Sequence, residues 1–128
     1  IVRTVVDVAG PADADVILAH VFSEEEFQQL VEQMDFESND ASPDDVARRH
    51  ATVREASSAL DDADIEYEVR GGVGDTGQRI VDLARDNDVD LVVVGGRRRT
   101  PTGKAVFGST AQEILLESPA PVTFVRSE

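Results

Sequence analysis

Between Gly95 and Thr110 the sequence GGRRRTPTGKAVFGST gathers four glycines, three consecutive arginines and the chain's single lysine. Cations beside glycines suit one kind of chemistry, the holding of an anion. Glycine lets backbone approach closely, guanidinium and ammonium groups neutralise charge, and free amides at a helix start favour phosphate. Gly95, Gly96, Gly103 and Gly108 supply the first, Arg97, Arg98 and Lys104 the second, and Ser109 and Thr110, opening a predicted helix, the third. Charge placement agrees: residues 97–128 carry five basic side chains against three glutamates, a net of +2, so with −14 overall residues 1–96 carry −16. The competing reading is a solvated loop whose arginines balance neighbouring carboxylates.

Such a site needs elements to hold it. Leu91 to Val94 is an apolar run without polar alternation, which suits a strand covered on both faces in a parallel sheet. The glycine pair then lies at the strand's carboxyl end, where open α/β sheets bind ligands. Ser109 to Ser118 is predicted as a helix that buries Ala111, Ile114 and Leu115 and stops at Pro119 and Pro121. Val122, Phe124 and Val125 make a last strand.

At these residues the chain resembles the universal stress protein family, whose ATP-binding pattern is Gly, two residues, Gly, nine residues, then Gly-Ser or Gly-Thr, after the fourth strand. Gly95 and Gly108-Ser109 match in type and spacing, whereas Arg98 stands at the second glycine position. An arginine there donates to the phosphates or folds into the cleft and fills it. The resemblance spans nearly the whole chain, to the closing PAPVTFV. It implies an α/β three-layer sandwich with a mainly parallel five-stranded sheet in the order 3-2-1-4-5. It also implies an ATP or related adenine-nucleotide site, Mg²⁺ carried on phosphate oxygens, and a homodimer formed through Val122 to Val125. The candidate ligand residues are Val21, Val94, Gly95, Arg97, Arg98, Lys104, Gly108, Ser109 and Thr110, with Val21 flanking adenine.

Composition sets the limits. At 128 residues with 41% hydrophobic side chains the chain reads as one domain over 1–128. Its acidity disfavours nucleic acid and anionic membranes. Dense carboxylates with a single lysine suggest a salt-rich, halophilic cytoplasm, where the Debye length falls to about 3 Å near 1 M salt. Without cysteine there are no disulfides, thiolate metal sites or cysteine nucleophiles. Neither a membrane-length apolar stretch nor a signal-peptide pattern is found, so the expected location is cytoplasmic. No residue set supplies a convincing nucleophile or general base, and an enzyme is not expected.

In chain order, Ile1, Val2, Val5, Val6 and Ala9 recur at helical spacing before Gly10-Pro11, which predicts the rear half of an amphipathic helix. The β-branched VVDVAG also reads as a strand ending in an aspartate. Too few residues separate Gly10 from the next apolar run for a parallel crossover, so the helix is preferred. The family's first strand is then expected to be absent from this sequence, Asp7 being the residue that would otherwise stand in for its adenine-contacting aspartate. Residues 15–22, DVILAHVF, predict a buried strand with His20 as a core or strand-edge residue. Ser23 with Glu26 predicts a capped short helix whose Phe27, Leu30, Val31 and Met34 cover the core or form a lid or partner surface, before a polar connection from Glu37 to Ala41. Ser42-Pro43-Asp44-Asp45 starts a helix predicted to run unbroken to about Asp62, with His50 partly exposed. Ile65, Tyr67 and Val69 alternate as an edge strand, GGVG at 71–74 predicts a βα turn, and Asp75 starts a helix turning Ile80, Val81, Leu83 and Ala84 inward. A homodimeric interaction module without nucleotide is the alternative function.

Overall fold

The computed structural model describes residues 1–33, 42–96 and 108–126. Its elements are α1 (Val2–Ala12), β1 (Val16–Phe22), α2 (Glu24–Gln33), α3 (Pro43–Arg49), α4 (Ala51–Asp62), β2 (Tyr67–Val73), α5 (Thr76–Asp86), β3 (Val92–Gly96), α6 (Ser109–Glu117) and β4 (Val122–Arg126). They form two compact units, residues 2–76 and, with Ile1, the residues from Gly77 on. Met34 and the connection from Glu37 to Ala41 lie outside the described residues.

In the unit of residues 2–76, β1 and β2 pair in parallel from Val16 opposite Tyr67 to Phe22 opposite Val73. Phe22, Val46 and Leu60 are fully buried, each such side chain contributing about 1.5–3 kcal/mol. Phe22 joins Val46, Ala47, Val53 and Val69 in one cluster, against which Phe27, Leu30 and Val31 of α2 pack. The apolar stripe of α2 therefore covers core. The first element is a helix, as its 3.6-residue period predicts: α1 buries Ala9 beside Leu60 and Ile65, with Val5 and Val6 packed alongside. It outlasts Gly10-Pro11 and ends two residues later than the proline suggested.

The reason is a terminator that α1 shares with α4 and α5. Asp13, Asp64 and Asp88 take the left-handed backbone conformation, with φ of 52°, 56° and 48°. The following residue donates back to the carbonyl five positions earlier: Ala14 to Ala9 at 3.0 Å, Ile65 to Leu60 at 3.0 Å and Val89 to Ala84 at 3.2 Å. This is the Schellman closure, with aspartate where glycine is usual.

Two sequence expectations are corrected here. The helix from Ser42 is broken at His50, whose φ of −70° and ψ of 135° are extended. His50 ends α3 and starts α4, its Nδ1 accepting from the Thr52 amide at 3.3 Å. The predicted turn at 71–74 is mostly strand, since β2 continues to Val73 and only Gly74, at φ 127°, turns. Gly71 is required by proximity: a Cβ there would strike the backbone of Pro43. Its amide donates to Asp44 Oδ1 at 2.6 Å.

In the second unit β3 and β4 pair in parallel, Val92 opposite Val122 through Gly96 opposite Arg126. Ala84, Val92 and Ile114 form its core, with Ile80, Val89, Val94, Ala120 and Val122 against them. Leu115, expected inside, is 43% exposed and Leu116 84% exposed. Ile114 alone among the residues of α6 is buried, because its position meets the strands and the next two turn away. The described strands thus form two parallel pairs and not the five-stranded order 3-2-1-4-5.

Candidate anion-binding site

The predicted site divides between a strand end and a helix start. β3 delivers Val94 and Gly95, in register with Phe124 and Val125 of β4. Val94 is half-buried and packs against the Ala84, Val92 and Ile114 core, whereas Gly95 is exposed. A Cβ on Gly95 would come within 3.4 Å of the Ile1 side chain, ordinary contact, so it is the exposed backbone and not crowding that sets this position apart.

Gly108 is the N-cap of α6, extended at φ −67° and ψ 171°, and no side-chain cap bonds the helix start. Ser109 and Thr110 follow at the surface. The first turn of α6 contains no acidic residue, like those of α1, α4 and α5, whereas α2 has Glu24, Glu25 and Glu26 there and α3 has Asp44 and Asp45. Helices α2 and α3 complement their dipoles with their own carboxylates, which α6 does not. Helix α6 is anchored to the β3 side of its unit through Ile114. Arg97, Arg98 and Lys104, like Gly103, lie outside the described residues. Val21 lies in the other unit, half-buried on β1 opposite Gly72.

A grouping that spacing did not reveal surrounds His20. Its ring stacks on His50, with centroids 4.4 Å apart and planes at 28°, and meets Phe22 at 4.7 Å. Burial holds the His20 imidazole below its ordinary pKa, the His50 ring adds to the effect, and Glu26 opposes it. Thirty residues separate the two histidines in sequence, and the rings meet where the helix is broken at His50. Among the described residues there is no cluster of three or more His, Cys, Asp or Glu side chains able to hold a metal ion. No helix among them is long and apolar enough to cross a membrane.

Comparison with known proteins gives a consistent picture. The model of the universal stress protein family matches residues 1–126. A universal stress protein of Mycolicibacterium smegmatis is 36% identical over 90 residues, covering 70% of this chain and 69% of that one. The structure of a universal stress protein from Archaeoglobus fulgidus superposes with a TM-score of 0.69 at 25% identity, over 97% of this chain and 85% of the other. A universal stress protein crystallised in complex with cAMP gives a TM-score of 0.67 at 22% identity, over 99% and 85%.

Proposed function

The chain belongs to the universal stress protein family, and from that premise we propose that it is a stress-responsive regulatory protein that binds an adenine nucleotide, ATP foremost. The observation that carries the reading is the start of α6: Gly108 with no side-chain cap, exposed Ser109 and Thr110, and no acid in the first turn. Amides and dipole there would hold phosphates, with Gly95 giving close backbone approach, Arg97, Arg98 and Lys104 neutralising charge and Val21 flanking adenine. Mg²⁺ would travel on the phosphate oxygens. The cAMP complex of a protein with the same fold supports adenine as the base. In this reading the protein is a binder and not a catalyst, works in a saline cytoplasm, completes the order 3-2-1-4-5 in its full sheet, and dimerises through Val122 to Val125.

Arg98 favours a second reading. An arginine at the position where the family pattern has glycine could fill the cleft and leave a nucleotide-free module that acts through its surface. Calorimetric titration of MgATP and of cAMP in concentrated KCl separates the two. The first reading expects saturable binding that Ser109→Ala weakens about fivefold, the equivalent of one hydrogen bond of about 1 kcal/mol. Absence of binding, with binding gained in Arg98→Gly, establishes the second.

A further inference from the structure

A groove of about 660 Å³ lies within the unit of residues 2–76, along α4 and β2. It is shallow and open to solvent, so a ligand there would be held mainly by polar contacts. Arg54, Ser57 and Asp61 reach it from α4, and their spacing of three and four residues puts them on one helical face. Tyr67 and Arg70 come from β2, and Arg48 from the last turn of α3. Residues 1–96 contain seven basic side chains in all, so this one groove collects three of them in the most acidic part of the chain.

The three arginines are not equivalent. Arg48 is paired with Asp45 at 2.6 Å and Arg70 with Glu68 at 2.8 Å, so both guanidinium groups already have a carboxylate partner. Asp61, the acid on the helix face, is itself engaged by the Tyr67 hydroxyl at 3.2 Å. Arg54 has no side-chain partner among the described residues. With Glu68 as the second acid of the lining and Asp45 held beside Arg48, three cations stand against three carboxylates, a locally neutral patch in a region of net −16, and Arg54 is the cation that no carboxylate among the described residues engages. An uncommitted guanidinium on a neutral patch can receive a compact anion, while the carboxylates beyond it repel an extended polyanion.

We propose that this groove is a second ligand site, taking the phosphate group of a small phosphate monoester, with Arg54 as its anchor. Arg54 supplies the uncommitted fork, the paired Arg48 and Arg70 flank it, and the Ser57 hydroxyl is available as a donor. All of these residues belong to the unit of residues 2–76, whereas Gly95 and Gly108 to Thr110 belong to the other, so the two sites report on different amides.

The test is an amide-shift titration of the whole chain by two-dimensional NMR, at constant ionic strength in KCl, with phenyl phosphate and with inorganic phosphate. Saturating shifts confined to residues 54–61 and 67–70 are expected. Arg54→Gln should raise Kd about tenfold or more, as loss of a charge-assisted bond requires, and Arg54→Lys less. Shifts that do not saturate, or that persist unchanged in Arg54→Gln, overturn the proposal. Tighter binding of a phosphoserine peptide than of phenyl phosphate overturns it too, by making the ligand a protein.

Discussion

Replacing Asp64 by glycine should stabilise the protein, and replacing it by alanine should not. Asp64 ends α4 at φ 56°, a conformation in which the Cβ of an L-residue crowds the following carbonyl at a cost of about 1–2 kcal/mol, somewhat less for aspartate. The strain is sustained by the contacts that follow: the Ile65 amide reaches the Leu60 carbonyl at 3.0 Å, and the Leu60 and Ile65 side chains, 0% and 8% exposed, share a cluster. Glycine removes the crowding and loses about 0.5–1 kcal/mol of chain entropy in folding. Removing a carboxylate from a helix C-terminus, where the dipole favours cations, adds about 0.3–1 kcal/mol in dilute buffer and little in concentrated salt. Asp64→Gly is therefore expected to gain about 0.5–1.5 kcal/mol at low salt and less in molar KCl. Asp64→Ala loses the same charge but keeps a Cβ, so the glycine variant should exceed it by about 1 kcal/mol whatever the salt. Urea unfolding of the three proteins at two KCl concentrations, compared at constant m, measures both quantities. Alanine as stable as glycine at both concentrations would refute the assignment of strain to this backbone position.

Gly71→Ala should cost about 3 kcal/mol or more in the same unfolding assay, because the new methyl collides with Pro43 backbone and displaces the Asp44 contact. Gly10→Ala is its control: nothing lies within 4 Å of that position in α1, and a gain of about 0.5–1 kcal/mol is expected. Since burial depresses the folded-state pKa of His20, the unfolded chain binds the proton more readily, and stability rises with pH. His20's contribution is complete above about 6.5 and is lost as pH falls from there through its lower folded value; His20→Asn should flatten the stability profile over that range. Ile114→Ala should cost about 2–5 kcal/mol and Leu116→Ser less than about 0.5 kcal/mol, which checks the rotation of α6.

What the sequence disclosed depended on how local the signal was. Ser23 bonds the Glu26 amide at 3.1 Å and Ser42 the Asp45 amide at 3.1 Å, as capping patterns three residues long foretell. The period of Val5, Val6 and Ala9 likewise identified α1 against the β preference of valine. The break at His50 escaped notice because the residues around it all tolerate a helix, while its ring packs against His20 and Phe22, 30 and 28 residues away in sequence, contacts that local spacing does not display. Gly71 and Gly72 read as a turn since glycine advertises backbone freedom, when Gly71 meets a demand for space imposed by Pro43. In α6 the helical period of Ile114 and Leu115 fitted several rotations, and contact with β3 selected one. Gly108 was legible as the start of α6 because opening a helix before Ser109 and Thr110 is a local signal. The arginine groove was not, for Arg48, Arg54 and Arg70 come from three separate elements.

The bond from Gly71 to Asp44 bears on how the molecule behaves in crowded solution. An amide that β1 does not use is an invitation to a foreign strand, and along β2 the first turn of α3 answers it: Asp44 takes the proton donor and Pro43 occupies the space above. A stray segment approaching from that side meets a carboxylate where it needs a carbonyl. Helix α3 thus serves as a selvedge, the woven border that keeps a fabric from unravelling or being stitched to its neighbour.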